Sequence, residues 1–394
     1  MDQDPRRHEL REPSSTMSPD ARDESDPRRA PLRAWLSAHP HPTGRELAEA
    51  GLVAPQWPPP WGRGADASYQ LLITDELRRA GVAPPANPIG LGWAGPTLLH
   101  AGTPAQLERW LPALLSGEEL WCQLFSEPDA GSDLASLKTV ARRDGDEWVI
   151  TGQKIWTSYA HLATWGILLA RTSNEESAQR GISYFVCPMN APGVSVLPLV
   201  DMTGLHTFNE VFLDEVRLPA DHLVGPVNDG WRLAKVTLGN ERVSLSGEGA
   251  LWGQGPTAAQ LVRSVRDRRV PHDALERDQL VQCWIHGEIL RYLRLRLVGA
   301  AVAQREPGAE ASVRKALADD HGQEVMGLAQ RLAGTAGLLA GRGPGGVNDD
   351  EGALWSFGFL FSPALTIGGG TSVVQRNIIA ERVLGLPKDV QSSA

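Results

Sequence analysis

Between Trp121 and Val224 the hydrophobic pattern of this chain changes period, and that change restricts the fold more than any other feature. Trp148–Ile150, Trp165–Ala170, Ile182–Val186, Val194–Leu199 and Glu210–Leu213 are short runs rich in β-branched and aromatic residues, separated by Gly, Pro, Asn and Asp. Such runs suit a pleated, half-buried surface and predict a middle β domain of roughly seven strands over 121–224. On both sides the period lengthens. Arg33–Ala38, Tyr69–Ala80 and Pro104–Leu115 read as helices punctuated by the Pro-rich stretches Gln56–Gly64 and Val82–Asn87, so 31–120 is expected to be helical. Helical spacing returns over 225–394 in Trp231–Leu245, Ala274–Ala300, Ala309–Leu339 and Ser372–Leu384. Helices, then strands, then helices predict an α+β protein whose strands form their own layer.

The size fits that order, since 394 residues can enclose two or three cores. A net charge of −9 without a long basic run argues against nucleic acid as the main partner. Cys122, Cys187 and Cys283 are odd in number and widely spaced. They make neither a disulfide framework nor a metal spacing, which fits a reducing cytoplasm and no metal centre. No apolar run approaches a membrane span, and no apolar segment follows Arg6-Arg7 as a secretory signal requires. Residues 1–30 are rich in Asp, Glu, Arg, Ser and Pro and are expected to be a disordered tail, with Met17 an alternative start.

Three segments have the composition of ligand-binding loops. In Trp121–Asp133, Glu127-Pro128-Asp129 signals a turn and Ala130-Gly131-Ser132 lets backbone approach a ligand closely; a tight loop into the sheet is the plainer reading. In Gly152–Ser158, Trp156 stands beside two hydroxyls, so a flat ring could pack there while Thr157 or Ser158 bonds its heteroatoms. Taken alone, Trp156 reads as core. Gly368-Gly369-Gly370-Thr371-Ser372 precedes a helical run and offers backbone N–H groups to an anion, or equally forms a capped interhelical loop. Gly341–Gly346 follows no strand and reads as a loop.

Taken in order and spacing over about 330 residues, these segments resemble the acyl-CoA dehydrogenase family. Ser126–Asp133 resembles the first family signature, Gly152–Ser158 the flavin-contacting strand, and Gly369–Pro387 the second signature. The resemblance implies a helical N-terminal domain, a middle β-barrel or sandwich domain and a C-terminal four-helix bundle. FAD would lie between them at a subunit interface. By position, Gln123, Phe125 and Ser126 would hold the flavin pyrimidine, Trp156 would pack on the isoalloxazine, and Ser158 would bond near N5. Thr371, with Gly370 beside it, would meet the diphosphate from the glycine loop. The resemblance assigns Ser132 to the pyrophosphate region and, with Arg242 and Gly369, to the acyl-CoA. It also implies electron-transfer flavoprotein as electron acceptor and a homo-dimer, homo-tetramer or heterotetramer.

The chemistry demands a carboxylate beside the substrate α-carbon and donors for the developing enolate. In many members of the family the base directly precedes Gly-Thr of the second signature. Here that position is Gly369. In Gly230–Leu245, however, Trp231, Ala234, Leu238, Glu241 and Leu245 recur at helical spacing, and Glu241 interrupts the apolar stripe. On its own Glu241 reads as a structural ion pair. Branched-chain and long-chain members carry their base on this helix, immediately before an Arg, so the resemblance makes Glu241 the base. The enolate donors would be the N–H of Gly369 or Gly370 and a flavin ribityl hydroxyl.

Two further departures bear on flavin binding. The Arg-x-Phe-Gly element is absent, with Arg263, Arg266, Arg268 and Arg269 in that region, and Val373 replaces an acidic or amide residue. Two alternatives follow: a catalytically weak partner subunit of a heteromeric dehydrogenase, or a flavin oxidase or monooxygenase on the same fold. For the acyl group, the overall wording resembles actinobacterial members that act on steroid-derived or branched acyl-CoAs.

Overall fold

The structure, a computed structural model, describes residues 24–244, 249–252, 254–268, 273–302, 310–338 and 350–388. The N-terminal segment 1–23, Leu245, Arg269 and Gly341–Gly346 fall outside the described residues, as do the side chains of Arg242 and Arg268. The chain divides into two compact units, Met1–Pro84 and Pro85–Ala394.

In the first unit, α1 (Arg29–Ala38), α2 (Gly44–Glu49) and α3 (Ala67–Arg79) enclose Leu32, Leu36, Leu47, Leu52, Leu72, Ile73 and Leu77. Thr43 and Glu46 form a reciprocal capping box that starts α2, a helix the apolar pattern did not reveal. Arg29 lies inside the stretch expected to be a tail. It is instead buried in α1 and paired with Asp75 and Glu76 of α3, because a buried guanidinium needs carboxylate partners.

In the second unit, a π-helical turn at Gly90–Ala94, α4 (Gly95–Ala101) and α5 (Pro104–Ser116) lead into the strands. These are β1 (Trp121–Leu124), β2 (Val140–Asp144), β3 (Glu147–Ser158), β4 (Trp165–Arg171), β5 (Ile182–Pro188), β6 (Val194–Leu199), β7 (Phe208–Pro219) and the short β8 (Leu223–Val224). They form one sheet in the order β6-β7-β3-β2-β4-β5-β8, with β1 pairing parallel to β4. Its core holds Trp148, Ile150, Leu168, Phe185, Val211, Leu213, Val216 and Leu218. Two bulges interrupt the β3–β7 ladder. Between Ile150 and Gly152 the extra residue lies in β7, and between Lys154 and Thr157 it lies in β3.

The C-terminal helices are α6 (Gly230–Ser244), α7 (Ala258–Arg268), α8 (Ala274–Val302), α9 (Glu310–Ala333), α10 (Asp350–Phe361) and α11 (Ser372–Ile378), the last continuing as a π-helical turn. Their shared core contains Leu261, Val265, Leu280, Cys283, Val325, Met326, Leu328 and Trp355. This is the expected α+β fold, with helices before and after one eight-stranded sheet. No described helix is long and apolar enough to cross a membrane.

Candidate active site

Three loops predicted to bind a ligand are each fixed from behind by buried polar groups. At the end of β1, Phe125 is buried with its ring edge-on to Tyr184, and Ser126 accepts a hydrogen bond from the N–H of Ile155 at 2.9 Å. Glu127 and Ala130 close the predicted turn through two backbone bonds, while Ser132 beyond it is exposed. Beneath the turn, Lys154 of β3 is fully buried and donates to Glu127 at 2.8 Å and to the carbonyl of Phe125 at 3.1 Å. Glu127 also accepts from the N–H of Lys138 and Thr139. Burial pushes the Lys154 ammonium down to about 8 against the pull of Glu127. Burial pushes Glu127 up, but Lys154 and these donors outweigh it and leave the carboxyl below its usual range.

The β3 bulge shapes the second loop. Trp156 adopts a left-handed backbone (φ 59°), as does Tyr159 (φ 57°), a strained conformation for bulky residues. The Trp156 ring stands edge-on to Phe208 and remains 60% exposed. That exposure overturns the core reading of this residue: the bulge presents the indole outward. Gln123 on β1 is half-buried, as is Ser158, which pairs with Phe208 beyond the bulge.

Glu241 lies on the inner face of α6, 8% exposed. That face is not quite the predicted stripe. Leu233, Ala234, Thr237 and Glu241 are buried, whereas Trp231 and Leu238 are half-buried. One turn before Glu241, the Thr237 hydroxyl meets the Tyr184 hydroxyl at 3.2 Å and Thr97 of α4 at 2.8 Å. Phe125, Tyr184 and Thr237 therefore tie the helix of Glu241 to the end of β1. The apolar patterns gave no sign of this tie, because both partners of Thr237 are distant in sequence.

The glycine loop is held by its carbonyls. Lys315 of α9, buried, has four acceptors within hydrogen-bond distance of its three N–H groups: the carbonyls of Leu365, Gly368 and Gly370, and Asp319 at 2.5 Å. Gln375 donates to the carbonyls of Gly369 and Gly370. With these oxygens occupied, no described group accepts from the N–H of Gly369 or Gly370. Gly370 has a left-handed backbone (φ 90°) that disfavours any side chain, and a Cβ there would push on the Gln375 amide that holds the loop. Trp252 covers Gly368 in the same way. The Thr371 oxygen caps α11 by accepting from Val374, whereas Ser372 Oγ is buried without a partner among the described residues. Burial raises Asp319 to about 7 despite Lys315. The spacing of Lys315 and Asp319 by four residues is the only signal the sequence carried of this support.

Contacts of α9 with α6, and of Lys315 with the loop, connect the glycine loop to the helix of Glu241. The Arg cluster on α7 has a different setting. Arg263 and Arg266 are exposed; Arg263 lines a cleft of about 530 Å³ with Gln260, Ser264, Asp267, Leu354 and Trp355, and Arg266 pairs with Asp267 at 3.0 Å. Val373 is 63% exposed.

Comparison with known proteins bears on this arrangement. Models of the acyl-CoA dehydrogenase N-terminal, middle and C-terminal domains match residues 12–118, 122–216 and 228–384. FadE34, an acyl-CoA dehydrogenase of Mycobacterium tuberculosis, is 44% identical over 87% of this chain, but this chain spans only 46% of its length. IpdE1, an acyl-CoA dehydrogenase of the same organism, is 41% identical over 91% of this chain and 89% of its own length. Among solved structures, the Tcur3481-Tcur3483 steroid ACAD is 30% identical with a TM-score of 0.75, covering 92% of this chain and 97% of that chain. The ChsE4-ChsE5 complex from Mycobacterium tuberculosis is 29% identical with a TM-score of 0.75, covering 95% and 99%. Sequence likeness over most of both chains, joined to the same three domains in the same order, establishes that the chain belongs to the acyl-CoA dehydrogenase family of oxidoreductases.

Proposed function

We propose that this chain oxidises an acyl-CoA thioester to its α,β-unsaturated form, with Glu241 taking the α-proton. The observation that carries this reading is the buried Glu241 carboxylate, one helical turn beyond the Thr237 that Tyr184 ties to Phe125. A thioester α-proton is only weakly acidic, so a positioned carboxylate and donors on the thioester oxygen lower the barrier together. The N–H groups of Gly369 and Gly370, turned away from their own carbonyl anchors, would supply those donors.

Bound FAD supplies the acceptor for the hydride that leaves Cβ. The residues present fit that group. Trp156 offers an exposed ring face, Gln123 lies on β1 with Phe125 and Ser126 just past its end, where the Ser126 carbonyl meets Ile155 of β3, and Ser158 closes β3. Thr157 Oγ1 and Ser372 Oγ are buried with hydrogen bonds unspent. Ser132, Gly370 and Thr371 would hold phosphate-bearing portions, and Arg242 would assist the acyl-CoA beside Glu241. Electrons would pass to an electron-transfer flavoprotein, and the chain would work as a dimer or tetramer. The steroid ACAD among its structural neighbours favours steroid-derived or branched acyl groups.

The test is anaerobic addition of a panel of acyl-CoAs to wild type and Glu241→Gln. Wild type should bleach the flavin absorbance; the variant should retain FAD and lose turnover by about a thousandfold or more, as expected for removal of a general base. Normal turnover in the variant refutes the assignment. A second reading, a partner subunit with little chemistry of its own, is favoured by Gly369 at the position where many relatives carry their base. The name of the ChsE4-ChsE5 complex also describes a two-component assembly. That reading requires no bleaching by the chain alone and bleaching once a related subunit is added.

A further inference from the structure

Away from the residues used so far, α8 and α9 bring together His286, His321 and Glu324. Each offers one ligand atom, and these atoms all lie within 4.8 Å of one another. The His286 Nδ1 stands 3.2 Å from Glu324 Oε2. Two donors on one tetrahedral ion, each at about 2.0–2.1 Å, are roughly 3.4 Å apart, so this pair already has ligand-to-ligand spacing. The third member is distinctive. His321 is only 6% exposed, and its Nδ1 is buried with no hydrogen-bond partner among the described residues. The imidazole therefore spends none of its Nδ1 capacity on the protein, and its Nε2 edge faces Gly287 beside His286.

Local sequence favours the approach of these groups. His321 and Glu324 are three residues apart on α9 and therefore share a face. On α8, the residue after His286 is Gly287, where a Cβ would stand 3.5 Å from His321 Nε2, so a longer side chain there would crowd the ring. The two imidazoles meet edge-on, with centroids 6.3 Å apart. The side chains of His286 and Glu324 are 46% and 52% exposed, which leaves them free to swing by the last ångström onto an ion.

We propose that His286, His321 and Glu324 form a binding site for a divalent transition-metal ion, Zn²⁺ or a close analogue, with water completing the tetrahedron. Two imidazoles and one carboxylate suit Zn²⁺ and disfavour Mg²⁺ or Ca²⁺, which select oxygen ligands. The ion would join α8 to α9. The sequence gave no hint of it, because the donors lie on two helices and use none of the expected cysteine spacings.

The test uses the full-length, tag-free, flavin-loaded protein after chelator treatment. Equilibrium dialysis with Zn²⁺ and absorption titration with Co²⁺ should each give about one saturable equivalent per chain. His286→Ala and Glu324→Gln change exposed side chains and should keep the wild-type circular dichroism, yet each should weaken binding roughly tenfold or more. At the same Zn²⁺ concentration the thermal midpoint of wild type should rise more than that of either variant. No saturable uptake, or uptake unaltered in either variant, overturns the site and leaves His286 and Glu324 as a surface ion pair only.

Discussion

Two buried lysine–carboxylate pairs sit behind two candidate ligand-binding loops, and they are built differently. Behind the β1 loop, Glu127 accepts from Lys154 and from two backbone N–H groups. Behind the glycine loop, Asp319 accepts from Lys315, while three carbonyls share the two N–H groups that Lys315 has left. In the first pair donors gather around the anion, which stays below its usual range as Lys154 falls to about 8. In the second, acceptors gather around the cation, and Asp319 rises to about 7. Burial works against the charge of both pairs, and the group it displaces most clearly is the one the backbone does not serve: Lys154 in the first pair, Asp319 in the second.

The sharpest way to break that comparison is Lys154→Met. It leaves Glu127 buried without its cation, and a carboxylate already favoured as the anion has no ready route to neutrality. A loss of about 3–5 kcal/mol is expected, with retention of the proposed FAD falling alongside. Urea unfolding with flavin fluorescence checks both, and a loss under about 1 kcal/mol contradicts the account.

Lys315→Met should cost less, about 2–3 kcal/mol, although it strands more acceptors. Asp319 can take a proton near neutral pH and relieve part of the penalty. Its signature is functional: the freed Gly368 and Gly370 carbonyls release the loop, so acyl-CoA affinity should fall even where the fold survives. Titration of acyl-CoA into the flavin-loaded variant measures this.

The smallest effect belongs to Asp319→Asn, a cost of about 1 kcal/mol at pH 7. Its value lies in the sign of the pH dependence. A carboxyl whose folded pKa is raised from 3.8 to about 7 favours the folded state most when protonated. Its contribution is therefore full below about pH 4 and is lost as pH rises toward 7. The Asn variant should flatten that decline in urea midpoints taken between pH 4.5 and 7.5; an unchanged slope would place the titration elsewhere.

Much of the fold was written in local pattern. The period switch at Trp121 and the return of helical spacing near Gly230 mark the sheet and the helices around it, because burying one face of an element imposes its period on the apolar residues. The short β8, at two residues, carries too little pattern to be seen. The helix α2 was hidden because its signal is a capping box rather than an apolar stripe. At the candidate site, Glu241 was visible as a carboxylate in a stripe, but the face of α6 that is buried was misjudged because Thr237 does not look apolar. Its burial depends on Tyr184 and Thr97, hydroxyls from other elements that no window of α6 contains. Lys154 likewise has the residue type of an exposed position, and its burial depends on Glu127, distant in sequence.

The two bulges of the β3–β7 ladder have a consequence for how this segment can change over generations. In β3 the buried positions Trp148, Ile150 and Lys154 are even-numbered, while Thr157, beyond the extra residue, is odd. In β7 the buried run passes from Asn209, Val211 and Leu213 to Val216 and Leu218 across its own extra residue. Deleting one residue at either place would turn half a strand inside out and bring exposed positions into the core. Homologous chains are therefore free to drift in letters here, but the count from Gly152 to Ser158 is expected to stay fixed, with length variation confined to the loops outside the ladder.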